Sequence, residues 1–204
     1  MSSNWIITPE KYLQEDEVNK LVQTCKDEAE LARMKDNWIA IRDWMLIDMA
    51  LNTGLRVAEL SNLQVDDLHI QYGEKSLTVR DGKGGKARVV KFSAALKRHL
   101  KAYLSERKSE SPYVFHSSRG QQMSRSAMQK VFKKKAKAAG LPERYSIHSL
   151  RHTYATRLLK SSGNNLRLVQ KQLGHASVTT TQVYADVTDA DVEAAVEQLG
   201  EESS

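Results

Sequence analysis

The chain has 204 residues, which is enough for one domain with a substantial hydrophobic core. Its 31 basic and 25 acidic residues give a net charge of +6. The acids gather at residues 10–30 and 186–202, so the middle of the chain is more basic than the total and suits an anionic partner. Because no apolar run approaches the ~20 residues of a membrane span and the N-terminus lacks the apolar core of a signal peptide, we exclude a membrane protein and expect a cytoplasmic one.

The first half of the chain begins with two helical patterns, at residues 14–30 and 36–51. The second pattern has apolar residues at spacings of three and four, which predicts a buried helix. These residues are Trp38, Ile41, Met45 and Met49. Gly54 is placed to end this helix as a left-handed cap. The single cysteine, Cys25, lies in an otherwise polar helical segment and can form no internal disulfide.

Three short strand patterns follow the helices, at residues 67–71, 76–80 and 88–92. The last two are joined by the turn-rich residues 81–86 (DGKGGK), which indicates a hairpin rather than a Walker phosphate loop. Together the patterns predict a mainly helical α+β domain with a small three-stranded antiparallel sheet.

The helix predicted after Ser124 has two chemically different faces. Its basic face carries Lys130, Lys133, Lys134 and Lys137 at spacings i, i+3, i+4 and i+7. Its apolar face carries Met128, Val131, Phe132 and Ala139. A lysine stripe is usually a solvated face, but beside a phosphodiester site it would contact DNA phosphates without reading sequence.

The C-terminal part of the chain predicts a short helix at 165–173 ended by Gly174, followed by a Ser/Thr-rich segment at 177–181. The pattern at residues 186–204 predicts an amphipathic tail helix, with apolar residues Val187, Val192, Ala195, Val196 and Leu199. A weakly apolar helix at a chain end needs a surface to pack on. Packing on its own domain and docking on a neighbouring subunit both remain open.

One candidate anion site lies in NTGLRVAEL, residues 52–60. The chain turns at Gly54 and starts a new helix with Arg56 in its first turn. A cation is unfavourable there because the N-terminal end of a helix already carries partial positive charge. A bound anion would remove this conflict, and Glu59 on the same face would orient the guanidinium. The alternative is an ordinary surface Arg–Glu pair.

A second candidate group lies in residues 146–184, where His148 and Arg151 share a helix face and His175 and Tyr184 follow. Two histidines, an arginine and a tyrosine outline a phosphoryl-transfer site. The rival explanation is zinc, since His148 and His152 are four residues apart. Ser149 stands where zinc hydrolases have Glu, and Arg151 would repel a dication, so we predict no metal.

Five motifs occur in one order: TGLRVAEL, the Lys of GKGGKAR, HSLRH, LGH, and a Tyr nine positions after that His. In this set the chain resembles the catalytic domain of the tyrosine recombinase, or phage integrase, family from about Thr8 to about Leu199. The resemblance implies that Arg56 and Arg151 clamp a scissile phosphate. It also implies that Tyr184 is the nucleophile and forms a 3′-phosphotyrosyl intermediate.

The same resemblance assigns the remaining roles. Lys83 protonates the departing 5′ oxygen, His148 and His175 assist by acid/base work or hydrogen bonding, and Glu59 supports the site. Tyrosine attack conserves the bond energy in the ester, so we predict no cofactor. We further predict that Lys86, Arg88 and Arg125, together with the lysine stripe, contact DNA.

The resemblance also predicts the organisation and partners of the protein. We expect an N-terminal arm at 1–12, a catalytic domain at 13–185 and the tail helix at 186–204. The helical core-binding domain that usually precedes the catalytic domain in this family is absent from the chain, so the chain is either a fragment or a minimal recombinase. The expected partners are duplex DNA and further copies of the chain, in a tetramer at synapsis.

The activity that we predict is site-specific DNA recombination. One rival is DNA relaxation of the type IB topoisomerase kind, which uses the same cleavage and needs one subunit. Another rival is a DNA-binding regulator that kept the fold and lost turnover. The intact residue set argues against the regulator, and the tail helix argues mildly against relaxation.

Overall fold

The computed structural model describes residues 9–35, 37–80, 87–107 and 109–174. The α-helices in this part are α1 Glu15–Met34, α2 Trp38–Thr53, α3 Val57–Asn62, α4 Ala94–Glu106, α5 Arg125–Ala138, α6 Ile147–Ser161 and α7 Leu166–Leu173. The strands are β1 Leu68–His69, β2 Ser76–Val79 and β3 Arg88–Lys91. They form an antiparallel sheet in the order β1-β2-β3. The predicted mainly helical fold with a three-stranded sheet is confirmed, whereas α4 was not predicted.

Helix α1 buries a stripe of small and apolar residues along one side. The stripe consists of Val18, Leu21, Cys25, Ala29 and Ala32. Cys25 therefore belongs to the core, although its segment is polar by composition. Burial raises the pKa of its thiol to about 12, so this free cysteine stays protonated and unreactive at neutral pH.

Helix α2 is the central element and packs against α1, α4 and α6. Residues 41–51 are all buried, including three charged side chains. Arg42 and Asp43 pair with each other at 2.7 Å, and Asp48 accepts a hydrogen bond from Asn52 at 2.9 Å. Partnering these charges inside the fold avoids the large cost of burying an isolated ion. The prediction of a buried helix here is confirmed.

Helix α5 has the two faces that its sequence predicts. Met128 and Phe132 are fully buried. The stripe lysines Lys130, Lys133, Lys134 and Lys137 are exposed. Lys135, which the prediction passed over, is buried and forms an ion pair with Glu28 on α1. Its position three residues after Phe132 puts it on the apolar face.

No helix among the described residues is long and apolar enough to span a membrane. In the same ranges, no group of three or more His, Cys, Asp or Glu side chains is arranged to hold a metal ion.

Candidate active site

The candidate site is built on the corner where α2 ends. Gly54 adopts the left-handed conformation with φ 62°, as the sequence predicts. A Cβ at this position would lie 2.3 Å from Cδ1 of Tyr154 on α6 and 2.7 Å from Cδ2 of Leu173 on α7. Glycine is therefore required for both its backbone conformation and its lack of a side chain. The close packing brings the ends of α2 and α7 against α6.

Arg56 lies two residues beyond this corner, as the N-cap of α3 rather than in its first turn. Its backbone N–H donates to Oε2 of Glu59 at 2.8 Å, and its guanidinium donates to Oε1 at 2.8 Å. One carboxylate thus holds both the start of the helix and the side chain. The Arg56 side chain is 28% exposed, so its guanidinium remains accessible to a ligand.

Glu59 receives a second guanidinium from the sheet. Arg88 on β3 donates to Oε1 of Glu59 at 2.8 Å and to Oε2 at 2.9 Å. Burial raises the pKa of the Glu59 carboxyl, but the hydrogen bonds from Arg88 and from Arg56 outweigh it and lower the pKa to about 2. Arg88, which the sequence predicts as a DNA contact, has a side chain that is 12% exposed and faces Glu59.

Glu59 should therefore make fold stability depend on acid. Its carboxyl pKa falls from 4.5 to about 2 on folding, so ionised Glu59 stabilises the fold above pH 4.5 and this contribution is lost as the pH falls toward 2. We expect a contribution of about 3 kcal/mol at neutral pH, over half of it lost by pH 3. Urea unfolding at pH 6 and pH 3 measures it, with Glu59→Gln as the control. If both proteins lose the same unfolding free energy between pH 6 and pH 3, Glu59 is not the source of this pH dependence.

Arg151 on α6 is buried and lies between two helix C-termini. Its guanidinium donates to the carbonyl oxygen of Gly54 at the end of α2, and to that of Leu173 at the end of α7 at 2.9 Å. The last carbonyls of a helix lack intrahelical partners and carry partial negative charge, so they stabilise a buried cation. Arg151 and Arg56 are thus both anchored at the Gly54 corner, by separate contacts.

Two histidines flank Arg151 on α6. His148 is exposed, and partial desolvation together with the Arg151 charge lowers the pKa of its imidazole. The same causes, with His148 itself contributing, lower the pKa of His152 to about 4. Both rings are therefore neutral at physiological pH, and a neutral imidazole can accept a proton. Because His148 is also exposed, its ring can reach a ligand.

The structure brings Arg56, Glu59, His148 and Arg151 to one corner of the fold. The predicted residues Lys83, Lys86, His175 and Tyr184 lie outside the described residues. Arg125 is exposed at the start of α5.

Comparison with known proteins establishes the family. Residues 11–191 match the model of the phage integrase family. The chain belongs to the phage integrase family. Among curated members, it is 38% identical over 191 residues to the tyrosine recombinase XerA of Pyrococcus furiosus, covering 92% of this chain and 61% of that protein. It is 34% identical over 185 residues to the tyrosine recombinase XerD of Oceanobacillus iheyensis, covering 87% and 58%.

Solved structures of this family share the fold. The crystal structure of the XerA recombinase superposes with a TM-score of 0.73 at 31% identity, covering 92% of this chain and 64% of that chain. The XerH site-specific recombinase bound to its difH substrate in a pre-cleavage complex gives a TM-score of 0.75 at 27% identity, covering 91% and 53%. The integrase-family chain described here spans about three fifths of the curated relatives named above.

Sequence reasoning missed one side chain, Gln172, that connects elements of this site. Gln172 on α7 donates from Nε2 to the carbonyl of Lys91 on β3 at 2.5 Å and to Oη of Tyr154 at 3.0 Å. Burial raises the pKa of the Tyr154 phenol, which makes it a poor nucleophile. A glutamine carries no motif signature, and only the proximity of β3 and α7 gives it this role.

Proposed function

We propose that this chain is the catalytic part of a site-specific DNA recombinase that cleaves and rejoins duplex DNA through a 3′-phosphotyrosyl intermediate. The observation that carries the proposal is the placing of Arg56 and Arg151 at one corner, with the neutral, exposed His148 on the same helix as Arg151. Relatives that are named tyrosine recombinases support it.

The proposed chemistry begins at the phosphate. Oη of Tyr184 attacks the phosphorus and forms a new P–O bond, while the bond to the 5′ oxygen breaks. A free phenol loses its proton only near pH 10, so the imidazole of His148 or His175 takes the proton from Tyr184. Lys83 donates a proton to the departing 5′ oxygen. The two arginines offset the charge that develops on the other phosphate oxygens.

The phosphotyrosyl ester retains the energy of the broken phosphodiester, so a free 5′ hydroxyl can reverse the reaction on another strand. The mechanism uses no metal or nucleotide cofactor. Recombining two duplexes takes four cleavages, and each chain supplies one Tyr184. We therefore propose a tetramer on DNA, acting in the cytoplasm, with residues 13–185 as the catalytic domain, 1–12 as its arm and 186–204 as a tail helix.

Trapping the covalent intermediate tests this function. The chain is incubated at low salt with a library of nicked duplexes, in which the short 5′ product diffuses away and leaves the protein attached. We expect a protein–DNA adduct that survives denaturing gels and forms equally well with EDTA. Sequencing its ends then gives the target site. Absence of any adduct overturns the proposal, and adducts without sequence preference, together with relaxation of supercoiled plasmid, support a topoisomerase instead.

The lysine stripe on α5 makes a separate prediction about how DNA is held. Replacing exposed Lys134 and Lys137 by Gln should weaken all DNA sequences alike and flatten the slope of log affinity against log salt by about two units. Fluorescence anisotropy at several salt concentrations measures the slope. The control replaces exposed Lys20 on α1 and Lys101 on α4, which leaves the same net charge. An unchanged slope in the stripe variant would mean that α5 faces solvent.

A further inference from the structure

We propose that Arg88 is a positioning residue that fixes the Arg56 guanidinium through Glu59 and ties it to the segment that enters the LGH motif. This inference rests on the proposed function, which assigns Arg56 to the scissile phosphate. It replaces the expectation that Arg88 binds DNA.

Arg88 and Arg56 share the carboxylate of Glu59. Glu59 is buried and lies between two guanidinium groups, with Arg88 bound to both of its oxygens. A two-point contact between planar groups fixes the carboxylate plane, which a single hydrogen bond does not. The oxygen that receives Arg56 Nη1 is therefore held in place by Arg88. Without Arg88, the carboxylate would be held only by Arg56 itself, through its backbone N–H and its Nη1, and the guanidinium of Arg56 would lose its connection to β3.

Arg88 also contacts Gly174 at the end of α7. This residue is left-handed, with φ 66°, and ends α7 immediately before His175 in sequence. A Cβ at Gly174 would lie 2.6 Å from Cδ and 2.7 Å from Nε of Arg88. The aliphatic stem and Nε of Arg88 thus pack directly on the glycine backbone. The same side chain touches both the Glu59 support of Arg56 and the last residue before His175.

Arg88 also lies close in sequence to Lys83. It is the second residue after residues 81–86, which contain Lys83 and lie outside the described residues, and the Gln172 amide holds Lys91 further along β3. Arg88 and Gln172 therefore connect β3 to α3 and α7 at two points. These contacts set the relative placement of three elements that lie close in sequence to the predicted catalytic residues Arg56, Lys83 and His175.

The test compares Arg88→Met with Arg80→Met on the nicked substrate. Arg80 follows β2 on the opposite side of the same turn and pairs with Asp67 rather than Glu59, so it is a matched arginine. We expect Arg88→Met to slow single-turnover cleavage by about 10- to 100-fold, the effect of a lost hydrogen bond to a charged group, with an unchanged salt slope of DNA binding. Arg80→Met should cleave at the wild-type rate.

A double-mutant cycle separates positioning from a general structural role. In a Glu59→Gln background, Arg88→Met should change the cleavage rate by about twofold or less, because the carboxylate through which it acts is already neutral. Equal losses in both backgrounds overturn the inference. The inference also fails if Arg88→Met lowers the slope of log DNA affinity against log salt by about one unit, because that change would indicate a phosphate contact.

A conservative variant covers the case in which Arg88→Met does not fold. Arg88→Lys keeps a charge opposite Glu59 but cannot bind both oxygens, so it should fold and cleave at an intermediate rate. Wild-type cleavage by Arg88→Lys would overturn the inference. If the wild-type chain itself forms no adduct, the proposed function fails rather than the role of Arg88.

Discussion

Replacing Tyr184 by Phe is expected to abolish the covalent protein–DNA adduct while leaving the fold and DNA affinity unchanged. The substitution removes one oxygen atom, and in the proposed mechanism that atom is the one bonded to phosphorus in the intermediate. Tyr154 on α6 does not replace it, because Tyr154 accepts a hydrogen bond from Gln172 and burial raises its pKa. We therefore expect a loss to background rather than a reduced rate.

The measurement is adduct formation on the nicked substrate, with DNA affinity determined in parallel. Tyr154→Phe is the matched control, since it removes the same atom from the tyrosine that packs beside Gly54. It should retain the adduct. If the adduct persists in Tyr184→Phe and disappears in Tyr154→Phe, the nucleophile is Tyr154 and the family motif has been assigned to the wrong residue.

Local patterns in the sequence predicted most of the elements that build this site. The spacing of apolar residues predicted α2. Gly54 marked its end, because the left-handed conformation of the cap favours glycine. The strand boundaries were predicted to within a few residues. Lys130, Lys134 and their neighbours on the stripe are exposed because helical periodicity separates them from Phe132.

Sequence patterns did not identify two basic residues that pair with carboxylates inside the fold. Arg88 is two residues before buried Val90 on β3, so the alternation of a strand places both on the same face. The same reasoning applies to Lys135, which helical spacing puts beside Phe132. Both lie against a buried or half-buried carboxylate, Glu59 or Glu28. The spacing in the sequence places both basic residues on buried faces. It does not identify their carboxylate partners, which are distant in sequence.

The anchoring of Arg151 could not be predicted from sequence at all. Its partners are backbone carbonyls of residues 54 and 173, which leave no residue-type signature. What sequence does indicate is that α2 and α7 both end at glycine. Each left-handed glycine turns the chain away and leaves terminal carbonyls without helical partners. Arg151 satisfies carbonyls at both ends, so the two glycines and the arginine form one unit.

This unit distinguishes the two arginines in a final prediction. Arg56→Gln and Arg151→Gln should each slow cleavage about 100-fold or more, because each removes a donor to the charge that develops on the phosphate. Their effects on folding should differ. Arg151→Gln leaves buried carbonyls short of a donor, which we expect to lower the unfolding free energy by about 1 to 3 kcal/mol. Arg56 is partly exposed and Glu59 keeps Arg88, so Arg56→Gln should cost under about 1 kcal/mol.

Single-turnover cleavage and urea unfolding on the same preparations measure the two effects. Cleavage is followed at a temperature and urea concentration where both variants are fully folded, so lost stability cannot account for a lost rate. A slow Arg56→Gln with near-normal stability shows that its guanidinium acts on the phosphate. An Arg151→Gln that is destabilised yet cleaves at the wild-type rate would restrict Arg151 to holding α2 and α7 together, and Arg56 would then be the main donor to the phosphate.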